Sequence, residues 1–195
     1  MTPAALAIGG TMIGWLILLV AMVRRGASRG ARVKRRNPLG VIGLALQAGG
    51  FALAFNWRRP PLTDSPLGWA VAAVSIVMAL GSAAFIFAAI RTLGKQWSLL
   101  PQLVDEHALV DTGPYAIVRN PIYTGILGML MATGLAIGPS SILLVAVVSY
   151  WAGTIVRVRL EEALLREAFG ERFTAYAERV PALLPFSVRQ TRRGG

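Results

Sequence analysis

The sequence predicts an all-α integral membrane protein with five transmembrane helices and a C-terminal cytoplasmic or interfacial helix. Two observations carry that reading. Hydrophobic residues make up 55% of the chain and charged ones only 15%, whereas a soluble domain averages about 25% charged. Four stretches, residues 3–23, 38–56, 68–90 and 122–156, hold no Asp, Glu, Lys or Arg, and a spanning helix needs about 20 apolar residues. The last stretch is long enough for two helices, and Gly138-Pro139-Ser140-Ser141 near its middle is a turn signal.

Taken in order, the first segment has no Lys or Arg before it. It therefore lacks the charged start of a signal peptide and is expected to stay in the mature protein. Residues 24–36 then carry seven Lys and Arg, a topology determinant that also suits anionic headgroups. The second and third spans complete an N-terminal three-span region, residues 1–90. Residues 91–195 hold a polar loop, the helical hairpin of residues 122–156, and a proline-free amphipathic stretch. In that stretch Leu160, Leu164, Leu165, Ala168 and Phe169 recur at helical spacing. Gly170 is expected to break it into two helices, the second with Phe173, Tyr176 and Val180 on its apolar face. Pro181 and Pro185 end it. The last residues, 189–195, read as disordered.

Positive loops stay cytoplasmic. Assigning alternate loops to the two sides places eighteen Lys and Arg on one side and two, Arg58 and Arg59, on the other. The expected topology has the N-terminus outside and the C-terminus inside, in the cell membrane. Eight of the nine acidic residues fall on the inner side, leaving Asp64 outside. The formal net charge of +11 is thus concentrated at one membrane face, which argues against a nucleic-acid partner. No cysteine and one histidine, His107, leave no metal cluster.

Three polar clusters border the inner face. One is residues 91–98, Arg-Thr-Leu-Gly-Lys-Gln-Trp-Ser. In the second, Gly113-Pro114 makes a turn, and Asn120-Pro121 sets an extended residue before a helix with proline at its first position. That helix start presents backbone N–H groups and a positive dipole end near Arg119, a natural place for a carboxylate or nucleotide edge. Tyr115 and Tyr123 supply flat faces for a ring, or serve as interfacial tyrosines. In the third cluster Arg157 and Glu161 are four apart and Arg159 and Glu162 three apart, each pair sharing a helix face. Such charges at a membrane boundary are costly and often functional. They complement a ligand that carries both ammonium and carboxylate.

Together these residues resemble the isoprenylcysteine carboxyl methyltransferase and phospholipid methyltransferase superfamily. The match runs through Gly113, Tyr115, Arg119, Pro121, Tyr123 and Gly125. It continues across the hairpin to Arg157, Glu161, Glu162, Phe169-Gly170, Tyr176, Val180-Pro181 and Leu184-Pro185. The element at residues 93–98 also looks like the family, so the likeness covers about residues 91–186. Asn120 stands where the family usually has histidine, and asparagine cannot take a proton near pH 7.

The resemblance implies an S-adenosyl-L-methionine-dependent methyltransferase of the isoprenylcysteine carboxyl O-methyltransferase kind. Its donor would enter from the cytoplasm, and a lipid or lipidated acceptor would arrive from the bilayer. It implies donor contacts from Gln96, Val110, Gly113, Tyr115, Arg119, Asn120, Pro121 and Tyr123, with Glu161 or Glu162 holding the donor's ammonium. Arg157 and Glu161 would be the catalytic pair, with Arg157 orienting the acceptor or the donor carboxylate. The acceptor stays open between isoprenylcysteine, an amino phospholipid and another small lipid. Two rival classes are a membrane reductase using NADPH on a sterol-like lipid and a non-enzymatic membrane scaffold. The first favours further phosphate-binding cations, of which only Lys95 and Arg119 are near.

Overall fold

Helix start and stop signals place the elements close to where the charge pattern puts them. The computed structural model describes residues 1–26, 33–36, 38–56, 61–94, 102–104, 108–138 and 141–185. In these, α1 is Pro3–Gly26, α2 Gly40–Asn56, α3 Pro66–Leu93, α4 Pro121–Ile137, α5 Ser141–Phe169 and α6 Glu171–Arg179. Helix α3 begins with Ser65 as N-cap, its hydroxyl accepting from Gly68 N at 3.1 Å, and with Pro66 at the first position. The start of α4 is the expected one, with non-helical Asn120 before Pro121.

Three of these helices, α1, α3 and α5, are long and apolar enough to cross a membrane; α2 and α4 are shorter apolar helices. The fifth predicted span and the start of the C-terminal helix are one continuous element, α5, because no breaker intervenes between Ser141 and Phe169. Gly170, at φ 52°, then turns the chain into α6. One addition to the all-helical expectation is a short antiparallel pairing of β1, Val33–Arg36, with β2, Gln102–Val104. It ties the loop after α1 to the loop after α3 and so sets those two loops on one side of the bundle.

Helix α4 lies at the centre. Its Met129 and Ala132 join Leu18, Ala79, Ala83 and Ile86 of α1 and α3 in one buried cluster. Leu130 joins Ala54 and Tyr150 of α2 and α5 in a second, and Ala136 meets Ala7 and Ala72 in a third. Small residues let the backbones approach, as helices in lipid require. A Cβ on Gly153 of α5 would come within 2.5 Å of the Gly43 carbonyl of α2, and one on Gly50 within 2.6 Å of the Ala146 carbonyl. Large side chains such as Met12, Leu16, Leu19, Val77, Leu144 and Val148 are exposed on the outer faces, the pattern of a surface facing hydrocarbon.

Candidate active site

Two neighbouring glutamates on α5 end in different environments. Glu162 meets Arg119, which precedes α4, through both oxygens: Nε donates to Oε1 at 2.8 Å and Nη2 to Oε2 at 3.1 Å. The remaining guanidinium nitrogen, Nη1, donates to the carbonyls of Ala177 and Val180 at the end of α6. Both side chains are 13% exposed, so this is a closed, forked pair of the strong kind. Arg159, the partner that helix spacing offers Glu162, is exposed instead. Spacing along one helix sees only that helix, whereas Arg119 arrives from another element with better fork geometry.

The same junction fastens the segment after α6. Arg119 N donates to Pro181 O at 2.8 Å, Asn120 N to Ala182 O at 3.0 Å, and Thr124 Oγ1 to Leu183 O at 2.6 Å. The Asn120 amide donates to Ala182 O at 3.1 Å and reaches Glu162 Oε1 at 3.4 Å. Tyr176 of α6 donates to the Tyr115 carbonyl at 2.6 Å. Burial pushes the Tyr176 phenol up to about 12 and raises that of Tyr115 as well.

Glu161 is held at one oxygen only by its described contacts. Tyr123 donates a hydrogen bond to its Oε1, and Arg157 Nη2 stands 3.8 Å from that same oxygen. The carboxylate keeps 27% exposure, against 5% for Arg157. Arg157 also lies over the Tyr123 ring, 5.1 Å from its centroid, and receives Gln47 of α2, whose Oε1 accepts from Nη1 at 3.1 Å.

Of the residues singled out in the sequence, the structure therefore brings together Arg119, Asn120, Pro121, Tyr123, Arg157, Glu161 and Glu162. Tyr115 is near them but buried, and Arg157 lies over one face of the buried Tyr123 ring. Val110 and Gly113 are in the preceding loop and turn, half-buried and exposed. Gln96, and with it Lys95 and His107, lies outside the described residues, as does the stretch 189–195. Gln47 was missed. It is the one strongly polar residue inside the second span, before Asn56 at its end, and a lone polar group at membrane depth is itself a signal.

The described contacts of Glu161 converge on one oxygen, while Glu162 is already neutralised by Arg119. No group of three or more metal-binding side chains occurs among the described residues.

The phospholipid methyltransferase family matches residues 70–172, just over half of the chain. Protein-S-isoprenylcysteine O-methyltransferase B of Arabidopsis thaliana is 37% identical over 101 residues, which are 50% of this chain and 51% of that protein. A probable protein-S-isoprenylcysteine O-methyltransferase of Oryza sativa subsp. indica is 30% identical over 121 residues, 60% of this chain and 63% of the relative. The chain thus spans about half to under two thirds of these relatives' length. In fold it is similar to the eukaryotic intramembrane Ras methyltransferase, isoprenylcysteine carboxyl methyltransferase, with a TM-score of 0.62 at 20% identity, over 95% of this chain and 68% of that one.

Proposed function

The chain belongs to the phospholipid methyltransferase family, and from that premise we propose that it is an integral membrane methyltransferase using S-adenosyl-L-methionine. It acts on a lipid or lipidated acceptor at the cytoplasmic face of the cell membrane. The observation that carries this reading is the inequality of the two glutamates: one locked by Arg119, the other accessible beside a buried arginine. Five spans with the N-terminus outside account for the 18-to-2 distribution of basic residues and for the strand pairing of two inner loops.

When bound, the donor supplies a methyl group already activated by its sulfonium, so the protein's part is positioning and exclusion of water. Glu161 receives the ammonium of the donor, its own geometry fixed by the Tyr123 hydroxyl. The Arg119–Glu162 pair and the Asn120 amide hold the α6 end against α4 and so close one wall. Arg157, at the inner end of the fifth span, orients an acceptor whose head carries a carboxylate or phosphate and whose tail remains in lipid. Its planar fork suits that task. A carboxylate acceptor needs no base, whereas an amine must first lose a proton.

The test is methyl transfer from radiolabelled donor into two probes by the detergent-purified chain: N-acetyl-S-farnesylcysteine and phosphatidylethanolamine vesicles. Label in the farnesyl acid supports the carboxylate form and label in the vesicles the amine form. Transfer to neither, or to no component of a total membrane lipid extract, contradicts the proposal.

A further inference from the structure

We infer that Tyr150 is a positioning residue: from within α5 it fixes Tyr123, and through Tyr123 the carboxylate of Glu161. This role rests on the one proposed above for Glu161, as the group that receives the ammonium of S-adenosylmethionine. Tyr150 belongs to none of the polar clusters at the inner face. It lies in the fifth span and is only 1% exposed. A hydroxyl at that depth is costly unless it is bonded. The Tyr150 hydroxyl reaches out of α5 altogether and donates at 2.8 Å to the backbone carbonyl of Tyr123, in the first turn of α4.

Tyr123 is thereby engaged at three points by one face of α5. Arg157 and Glu161 follow Tyr150 by seven and eleven residues, about two and three helical turns, so the three side chains line up. Tyr150 takes the carbonyl of Tyr123, Arg157 lies over its ring at 5.1 Å from the centroid, and Glu161 accepts from its hydroxyl. The first of these contacts fixes main chain and the last fixes the carboxylate. With its main chain pinned and its ring packed, Tyr123 has little freedom left in where it presents the hydroxyl.

The anchor is itself held firmly. Phe51 of α2 meets the Tyr150 ring edge-on, with centroids 6.1 Å apart and planes at 88°. Next to it, Gly50 brings α2 so close that an added Cβ would lie 3.2 Å from Tyr150 N and 3.3 Å from Tyr150 Cβ. Ala54, Leu130 and Ala146 complete the buried surroundings. The α2–α5 pair thus holds the phenol, and the phenol holds the start of α4. Phenylalanine would fill the same space, so packing alone does not require the hydroxyl; its carbonyl partner does.

The test is a double-mutant cycle on the full chain in detergent, read as S-adenosylmethionine affinity by calorimetry below every unfolding midpoint. Tyr123→Phe should weaken binding about tenfold and Tyr150→Phe about three- to tenfold, the range of one hydrogen bond. In the Tyr123→Phe background, Tyr150→Phe should add less than about twofold, because it acts only through the Tyr123 hydroxyl. Tyr150→4-aminophenylalanine keeps an N–H to donate and should restore affinity to within about threefold of the parent. A merely structural Tyr150 gives fully additive losses, and that outcome overturns the inference alone. Parent-like affinity in Tyr150→Phe, or its failure to fold, does the same. Parent-like affinity in Glu161→Gln, or no S-adenosylmethionine binding by the parent, overturns the role of Glu161 and the inference together.

Discussion

Arg119→Leu separates a structural lock from a ligand contact. The substitution removes two contacts to Glu162, at 2.8 and 3.1 Å, and two to carbonyls that end α6. It leaves a carboxylate that was 13% exposed without its counter-charge. Removing one partner of a buried pair costs about 3–5 kcal/mol, since the survivor stays charged and desolvated. Residual exposure places this case near the lower end, about 3 kcal/mol. At about 2–4 °C per kcal/mol for a chain of this size, the midpoint of thermal unfolding in detergent should fall by about 6–12 °C. The double variant Arg119→Leu/Glu162→Leu should recover about 2 kcal/mol of that loss, because no orphaned charge remains. Measured well below the transition, S-adenosylmethionine affinity of Arg119→Leu should stay within about tenfold, or 1.4 kcal/mol. If Arg119→Leu melts with the parent and loses donor binding altogether, its guanidinium serves the donor, and the division between the two glutamates is wrong.

Other outcomes follow from the same geometry. Arg157→Lys keeps charge but loses the fork, so donor affinity should hold within a few-fold while single-turnover methyl transfer falls about 10²-fold; equal losses in both would assign Arg157 to the donor carboxylate. Gly43→Ala forces a Cβ into the Arg157 stem and should cost about 1–3 kcal/mol of thermal stability through overpacking. Gly81→Ala, with open space at its Cβ, should be silent; matching melts for the two would contradict the close α2–α5 approach. Cysteine at Ser65 should label from outside in intact cells and cysteine at exposed Thr174 of α6 should not, the reverse pattern sinking the topology.

Much of the layout was legible because it follows from local rules. Charge-free length marks helices that a bilayer can hold, and the 138–141 signal separates α4 from α5 as expected. Asn120-Pro121 and Gly170 punctuate the chain where backbone chemistry requires. The site was legible as a set of residues but not as a set of partners. Glu162 had a plausible neighbour three residues away, and only folding shows that Arg119, forty-three residues earlier, out-competes it. Tyr115 and Tyr123 offer flat faces by sequence, which carries no account of what covers them. Gln47 escaped because it belongs to a span without a motif, although one amide among apolar residues is costly enough to need a reason. The β1–β2 pairing joins segments nearly seventy residues apart, beyond the reach of any local pattern.

Calorimetric titration of the detergent-purified chain with S-adenosylmethionine and with NADPH, repeated on Glu161→Gln, tests the central claim most directly. Saturable binding of S-adenosylmethionine and none of NADPH is expected. A loss of about 1.5–3 kcal/mol, roughly 10- to 150-fold in affinity, is expected when the Glu161 charge is removed. Binding of NADPH in place of S-adenosylmethionine, or unchanged S-adenosylmethionine affinity in Glu161→Gln, contradicts the claim.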